Sequence, residues 1–184
     1  LHLESTKNTQ VHSTAIYGTH QAILSEVGLG GNDIKVFNST LSSGSSSYSK
    51  DIKLWNSWSP TLVDTVRLYN TTFSTANISR YSELWVSNYL DIKVISQDNQ
   101  TLSGVDVQIL DNGTAIYATS GYGGSDSKTD SNGMISKLFV VDLIYDGSDT
   151  ATENVTLVKV KRDVASASKY VNMSTSHTET ITIN

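Results

Sequence analysis

Apolar and polar residues alternate with period two through most of this chain. Ile34 and Val36, Ile52 and Leu54, and Val66 and Leu68 each flank a cation, Lys35, Lys53 or Arg67. Side chains alternate between the two faces of a strand, so these stretches predict strands with an aliphatic inner row and a charged outer row. The same alternation returns in Leu90, Ile92 and Val94, in Val105, Val107 and Ile109, and in Met134 to Val140. The best helical spacing is Thr19 to Val27 (THQAILSEV); it stops at a glycine cluster and reads equally as a strand and turn. The expected fold class is all-β, in two regions, 1–88 and 89–184.

The first region repeats itself. DIKVFNST at 33–40, DIKLWNSW at 51–58 and TVRLYNTT at 65–72 share aliphatic, cation, aliphatic, aromatic, Asn, with a weaker copy in Thr9–Ser13. Asn38, Asn56 and Asn70 therefore take one position of a repeating unit, joined by loops such as Ser42-Ser43-Gly44-Ser45-Ser46-Ser47. Short strands at loosely constant spacing with variable loops predict stacked rungs of a short β-solenoid, in which equivalent Asn residues form a ladder. Antiparallel sandwich strands of similar composition are the alternative. The unit resembles the rungs of secreted archaeal parallel β-helix surface proteins over about residues 1–85, although its spacings are shorter than is usual in that family.

The second region begins YLDIKVISQDNQTLSGVDVQIL and continues to KTDSNG before the strand from Met134. This order resembles the carboxypeptidase-regulatory-like or transthyretin-like domain, and the resemblance implies an Ig-like β-sandwich over 89–184, an accessory module of surface proteins. Departures from the family pattern are Gln97 and Gln100 in the first turn and a long insertion at Tyr145–Thr156. Closing strands are expected at Asn154–Lys161 and Glu179–Asn184.

Composition narrows the function. The chain has 28 Ser, 21 Thr and 13 Asn but one proline and no cysteine, and its net charge of -5 is spread without runs. The ten lysines and three arginines form no basic patch, so nucleic acid is not an expected partner. No apolar run is long enough for a membrane span. Asn-x-Ser/Thr occurs seven times, at Asn38, Asn70, Asn77, Asn99, Asn112, Asn154 and Asn172. Chance would supply about three such triplets at this Ser/Thr content, so the excess points to N-linked glycans on an extracellular or cell-surface protein.

Candidate chemistry is sparse. His2, His12, His20 and His177 are scattered without metal-ligand spacing, and no Gly-x-Ser-x-Gly elbow is present. Asp33 and Asp51, with Lys35, Lys53 and Arg67, are the only row suggestive of a β-helix polysaccharide-active enzyme, and a charged outer strand face more commonly serves solubility and edge protection. Asp126, Asp130 and Asn132 invite a calcium reading, but Asp130-Ser131-Asn132-Gly133 is more economically a hairpin turn. No catalytic residue, metal site or cofactor is predicted. The aromatic residues Trp55, Trp58 and Tyr69 are the candidate contact face, for a neighbouring subunit or for sugar rings. The chain opens on Leu1-x-Leu3 without a polar cap, which suggests a mature or excised piece with an exposed strand edge. The expected function is a non-catalytic, N-glycosylated structural protein that assembles with itself into a filament, pilus-like fibre or surface layer, partly by β-strand addition. A carbohydrate-binding or adhesin module is the alternative.

Overall fold

A computed structural model describes residues 1–4, 7–26, 32–56 and 61–184. The protein is all-β, and packing divides it into two compact units: Leu1–Ser87 with Leu143–Glu153, and Asn88–Asp142 with Asn154–Asn184. No helix among the described residues is long and apolar enough to cross a membrane.

The first unit contains β1 (His2–Glu4), β2 (Thr9–His12), β3 (Ala15–Gly18), β4 (Gln21–Glu26), β5 (Asp33–Phe37), β6 (Thr40–Ser43), β7 (Lys50–Trp55), β8 (Asp64–Tyr69), β9 (Ala76–Ile78) and the first part of β10 (Ser82–Ser96). Its strands form three parallel stacks. In the first, β2, β5, β8 and β10 align Val11, Val36, Leu68 and Val86. The second holds β3 and β6 and is continued by a bridge from Thr40 to Thr72. In the third, β1, β4, β7 and β9 bring Ile23, Ile52 and Ala76 into line. The chain visits the stacks in the same order three times. Period-two alternation places Ile34, Val36, Ile52, Leu54, Val66, Leu68 and Leu84 fully inside. Of the Thr19–Val27 stretch, the described residues to Glu26 contribute a strand, β4, and no helix, and Val27 lies outside the described residues.

The three Asn residues of the sequence repeat do not share one position. β5 and β8 pair with each other, so Asn38 and Asn70 are equivalent, whereas β7 pairs with β4 and β9 in the third stack and carries Asn56 there. The first-stack equivalent of Asn38 in the preceding strand is Ser13. Ser13, Asn38 and Asn70 have φ of 48°, 49° and 49°, the left-handed region that Asn tolerates better than most residues. Each turns the chain at the end of its strand while donating its N–H to the next strand: Ser13 to Phe37 O at 2.9 Å, Asn38 to Tyr69 O at 2.9 Å and Asn70 to Ser87 O at 2.7 Å. The next residues in the chain turn inward. Ser39 and Thr71 are buried, and the Ser39 N–H donates to Thr71 Oγ1 at 3.3 Å while the Thr14 N–H donates to Ser39 Oγ at 3.2 Å.

The second unit takes the rest of β10, then β11 (Asp106–Asp111), β12 (Thr114–Ala118), a 3-10 turn at Ser120–Tyr122, β13 (Met134–Asp146) as far as Asp142, β15 (Thr156–Arg162), β16 (Ala165–Val171) and β17 (His177–Ile183). β14 (Ala151–Glu153) pairs with the end of β13 in a hairpin that belongs to the first unit. Strands β12, β11, β15 and β16 form an antiparallel sheet, and β17 runs parallel to β10 over Leu90–Ser96. A dry core joins Leu90, Ile92, Val94, Val107, Ile109, Val158, Val160, Ile181 and their neighbours, a β-sandwich-like arrangement. Asp130–Gly133 is a turn: Asp130 Oδ1 accepts from the N–H groups of Asn132 and Met134, both at 2.8 Å, and Gly133 has φ of 72°.

Candidate functional site

The outer face of the first stack carries a ladder. Because β2, β5 and β8 are parallel and in register, like positions superpose, and His12, Phe37 and Tyr69 stack at 4.6 Å with interplanar angles of 3° and 9°. Asn70 Nδ2 donates to Asn38 Oδ1 at 3.0 Å beside it. On the same face Lys35 lies opposite Arg67, whose guanidinium binds the Asp33 carboxylate. Burial pushes the Tyr69 hydroxyl above its ordinary pKa, against the pull of Arg67 and with the help of Asp33.

Of the three aromatics predicted as a contact face, Tyr69 sits in this ladder. Trp55 ends β7 in the third stack, 47% exposed, with Lys53 Nζ 4.2 Å from its ring centroid. The two therefore lie on different sheets, and Trp58 lies outside the described residues. Asp33 and Asp51 are likewise separated: Asp33 faces Arg67, while Asp51 is buried in the third stack.

The predicted glycan acceptors fall into two groups. Asn38, Asn99 and Asn112 are exposed at left-handed turns with φ of 49°, 58° and 46°, and Asn172 is exposed where its side chain caps the Ser174 N–H. Asn70, Asn77 and Asn154 are half-buried, and their side-chain amides are engaged. Asn70 donates to Asn38. Asn77 Nδ2 donates to Asp149 Oδ2 at 3.0 Å, and Asn154 Nδ2 donates to Asp111 and to Val141 O. An amide nitrogen committed to a carboxylate is a poor acceptor for a sugar chain.

The carboxylates that sequence reasoning did not single out serve as clamps. Asp64 is fully buried; its Oδ1 accepts from the Asn32 N–H at 2.9 Å and its Oδ2 from Ser25 Oγ at 3.1 Å. Burial raises its pKa more than these bonds lower it. Asp111 is raised by burial in the same way, against the bonds from Val141 and Asn154. Asp106 behaves oppositely. Desolvation pushes it up, but Thr119 Oγ1 at 2.7 Å, Lys128 Nζ at 2.9 Å and the Gly121 N–H at 2.8 Å together hold it down to about 2. Asp149 accepts the Ile78 N–H at 2.6 Å and fastens the β13–β14 hairpin to β9. No sequence signal near Asp149 marks this role, because its partners are distant along the chain. Among the described residues no group of three or more His, Asp or Glu is placed to hold a metal ion. Comparison of the chain with protein-family models, with curated proteins and with solved structures finds no match to any of them.

Proposed function

We propose that this protein is a non-catalytic, N-glycosylated structural component of an extracellular surface, and that copies join by β-strand addition at the open end of its parallel stacks. The first unit is read as a short β-solenoid and the second as a transthyretin-like accessory sandwich. The observation that carries the proposal is the edge at β2, the end strand of its stack, which among the described residues pairs only with β5. Ser13 donates to β5, so by the alternation of a parallel strand the N–H groups of Gln10 and His12 point the other way, to the unpaired side. Such a row of free donors and acceptors is a template for another strand. The engagement of Asp51, Asp64, Asp106 and Asp149 with backbone amides supports a structural rather than a catalytic use of the acidic residues. Asn38, Asn99, Asn112 and Asn172 are the acceptors that fit the glycan part of the reading.

The test is Gln10→Pro, which removes one outward N–H and leaves the β2–β5 pairing intact. Analytical ultracentrifugation and negative-stain microscopy of the parent chain over a range of concentrations should show concentration-dependent oligomers or fibres, and the variant should lose them without losing its fold. A parent chain that stays monomeric at about millimolar concentration overturns the assembly reading.

A further inference from the structure

We propose that the groove between the Ser42–Ser49 loop and the Ser74–Thr75 corner binds a neutral sugar ring, with Asp51 accepting hydrogen bonds from its hydroxyls. The groove is open, with a volume of about 310 Å³, and lies wholly within the first unit. That volume is at the small end of ligand pockets and suits one pyranose ring.

Asp51 is the centre of the argument. The residue is 4% exposed, yet it lines the groove. Its Oδ2 accepts the N–H groups of Ser74 at 2.6 Å and Thr75 at 3.2 Å, while among the described residues no donor reaches Oδ1. Oδ1 is not among the buried polar atoms that lack a partner, so it reaches water at the groove, and a ligand hydroxyl can take that water's place. Among the described residues no Lys, Arg or His lines the groove to neutralise the carboxylate. The rest of the wall is hydroxyl-rich: Ser46 and Ser49 share a hydrogen bond at 2.7 Å, and Ser49 Oγ donates to Thr19 O at 3.3 Å. Serine hydroxyls both donate and accept, which matches a sugar's own two-way hydroxyls. The loop is held in place from below. The Gly44 N–H donates to Gly18 O at 3.0 Å, and a Cβ at Gly44 would stand 2.4 Å from Thr19 O, so this position admits only glycine without rearrangement. Tyr48 belongs to the same loop but is 87% exposed and does not line the groove.

Other ligands fit less well. A divalent cation takes six to eight oxygens, several of them charged, and the groove supplies one free carboxylate oxygen. An ammonium group could meet Asp51 but would leave the hydroxyl wall without a use.

The proposal needs no oligomer, so its test is independent of self-assembly. Amide-resolved NMR of the full chain, titrated with the methyl glycosides of glucose, galactose, mannose and N-acetylglucosamine, should show saturable shifts at Ser74 and Thr75 for at least one sugar, with a Kd in the millimolar range. Asp51→Asn, which keeps an acceptor for the corner amides, should weaken binding about tenfold or more. Absence of saturable shifts with all four sugars overturns the proposal. So does sugar binding that is unchanged in Asp51→Asn, or a response of the same amides to methylammonium or calcium in place of sugar.

Discussion

The two units bury polar groups in opposite ways. In the parallel stacks a side chain meets its equivalent in the strands above and below, so hydroxyls and amides can be taken inside in rows: Ser39 beside Thr71, and Asn32 and Ser25 around Asp64. In the sandwich-like unit the buried polar side chains are separate threonines: Thr129 and Thr119 accept the Val105 and Val107 N–H groups, Thr156 Oγ1 has no partner among the described residues, and Asp106 binds Thr119, Gly121 and Lys128 at the edge. A repeating parallel register makes a buried polar group cheap because its partner recurs; an antiparallel pair of sheets offers no such recurrence. Substitutions that act differently in the two units test this contrast.

The largest effect is expected from the cores. Leu68 is fully buried between Val36 and Val86, whose strands are fixed above and below it by parallel ladders. Leu68→Ala leaves a space that its neighbours cannot close, and urea denaturation should show a loss of about 4 kcal/mol. Ile109→Ala in the other core should lose less, about 3 kcal/mol, because the flexible Met173 shares that cluster and can move into the gap. A larger loss for Ile109→Ala than for Leu68→Ala would remove the claim that stacking makes the first core less able to relax.

The next effect is on acid stability. Asp106 has a folded pKa of about 2, below its ordinary 3.8, so it stabilises the fold above pH 3.8, and that contribution is lost as the pH falls from 3.8 towards 2. Asp64 has the opposite sign: its pKa is raised, so acidification through the range above 3.8 relieves the cost of its buried charge. Asp106→Asn should therefore lower stability by about 1–2 kcal/mol at pH 7 and flatten the decline between about pH 4 and 2. An unchanged acid limb in that variant would show that the Lys128 and Thr119 contacts do not hold the carboxylate down.

Much of this architecture is legible in the sequence, and its failures have definite causes. Alternation locates β5, β8, β11 and the later part of β10, because the aliphatic inner row is a local property. The Asp130–Gly133 turn is readable for the same reason. Which stack a strand joins is not local. DIKLWN matches DIKVFN residue for residue in character, yet the path through β6 and the serine loop delivers β7 to β4 and not to β5. This one shift separates Trp55 from Tyr69 and Asp51 from Asp33, so the candidate contact face was read from residues that do not meet. The serine run was legible as a loop, but its relation to Asp51 and to Ser74 depends on the closure of two separate corners. The Tyr145–Thr156 stretch reads as an insertion, and only long-range bonds such as Asp149 to Ile78 attach Leu143–Glu153 to the first unit.

The smallest effect separates two uses of one residue at the corner of the first stack. Asn70 both adopts a φ of 49° and donates its amide to Asn38. Asn70→Gly keeps the left-handed turn at no steric cost and removes the amide bond to Asn38, so stability should change by less than about 0.5 kcal/mol. Asn70→Ala loses the same bond and adds the strain of a Cβ in the left-handed region, about 1 kcal/mol more. If Gly and Ala were equally damaging, the exposed amide ladder would be the important contribution, and the left-handed corner would be secondary. A glycine variant near the parent value with an alanine variant below it assigns the recurrence of Ser13, Asn38 and Asn70 to backbone geometry, with the amide bond between the two Asn residues as an accompaniment.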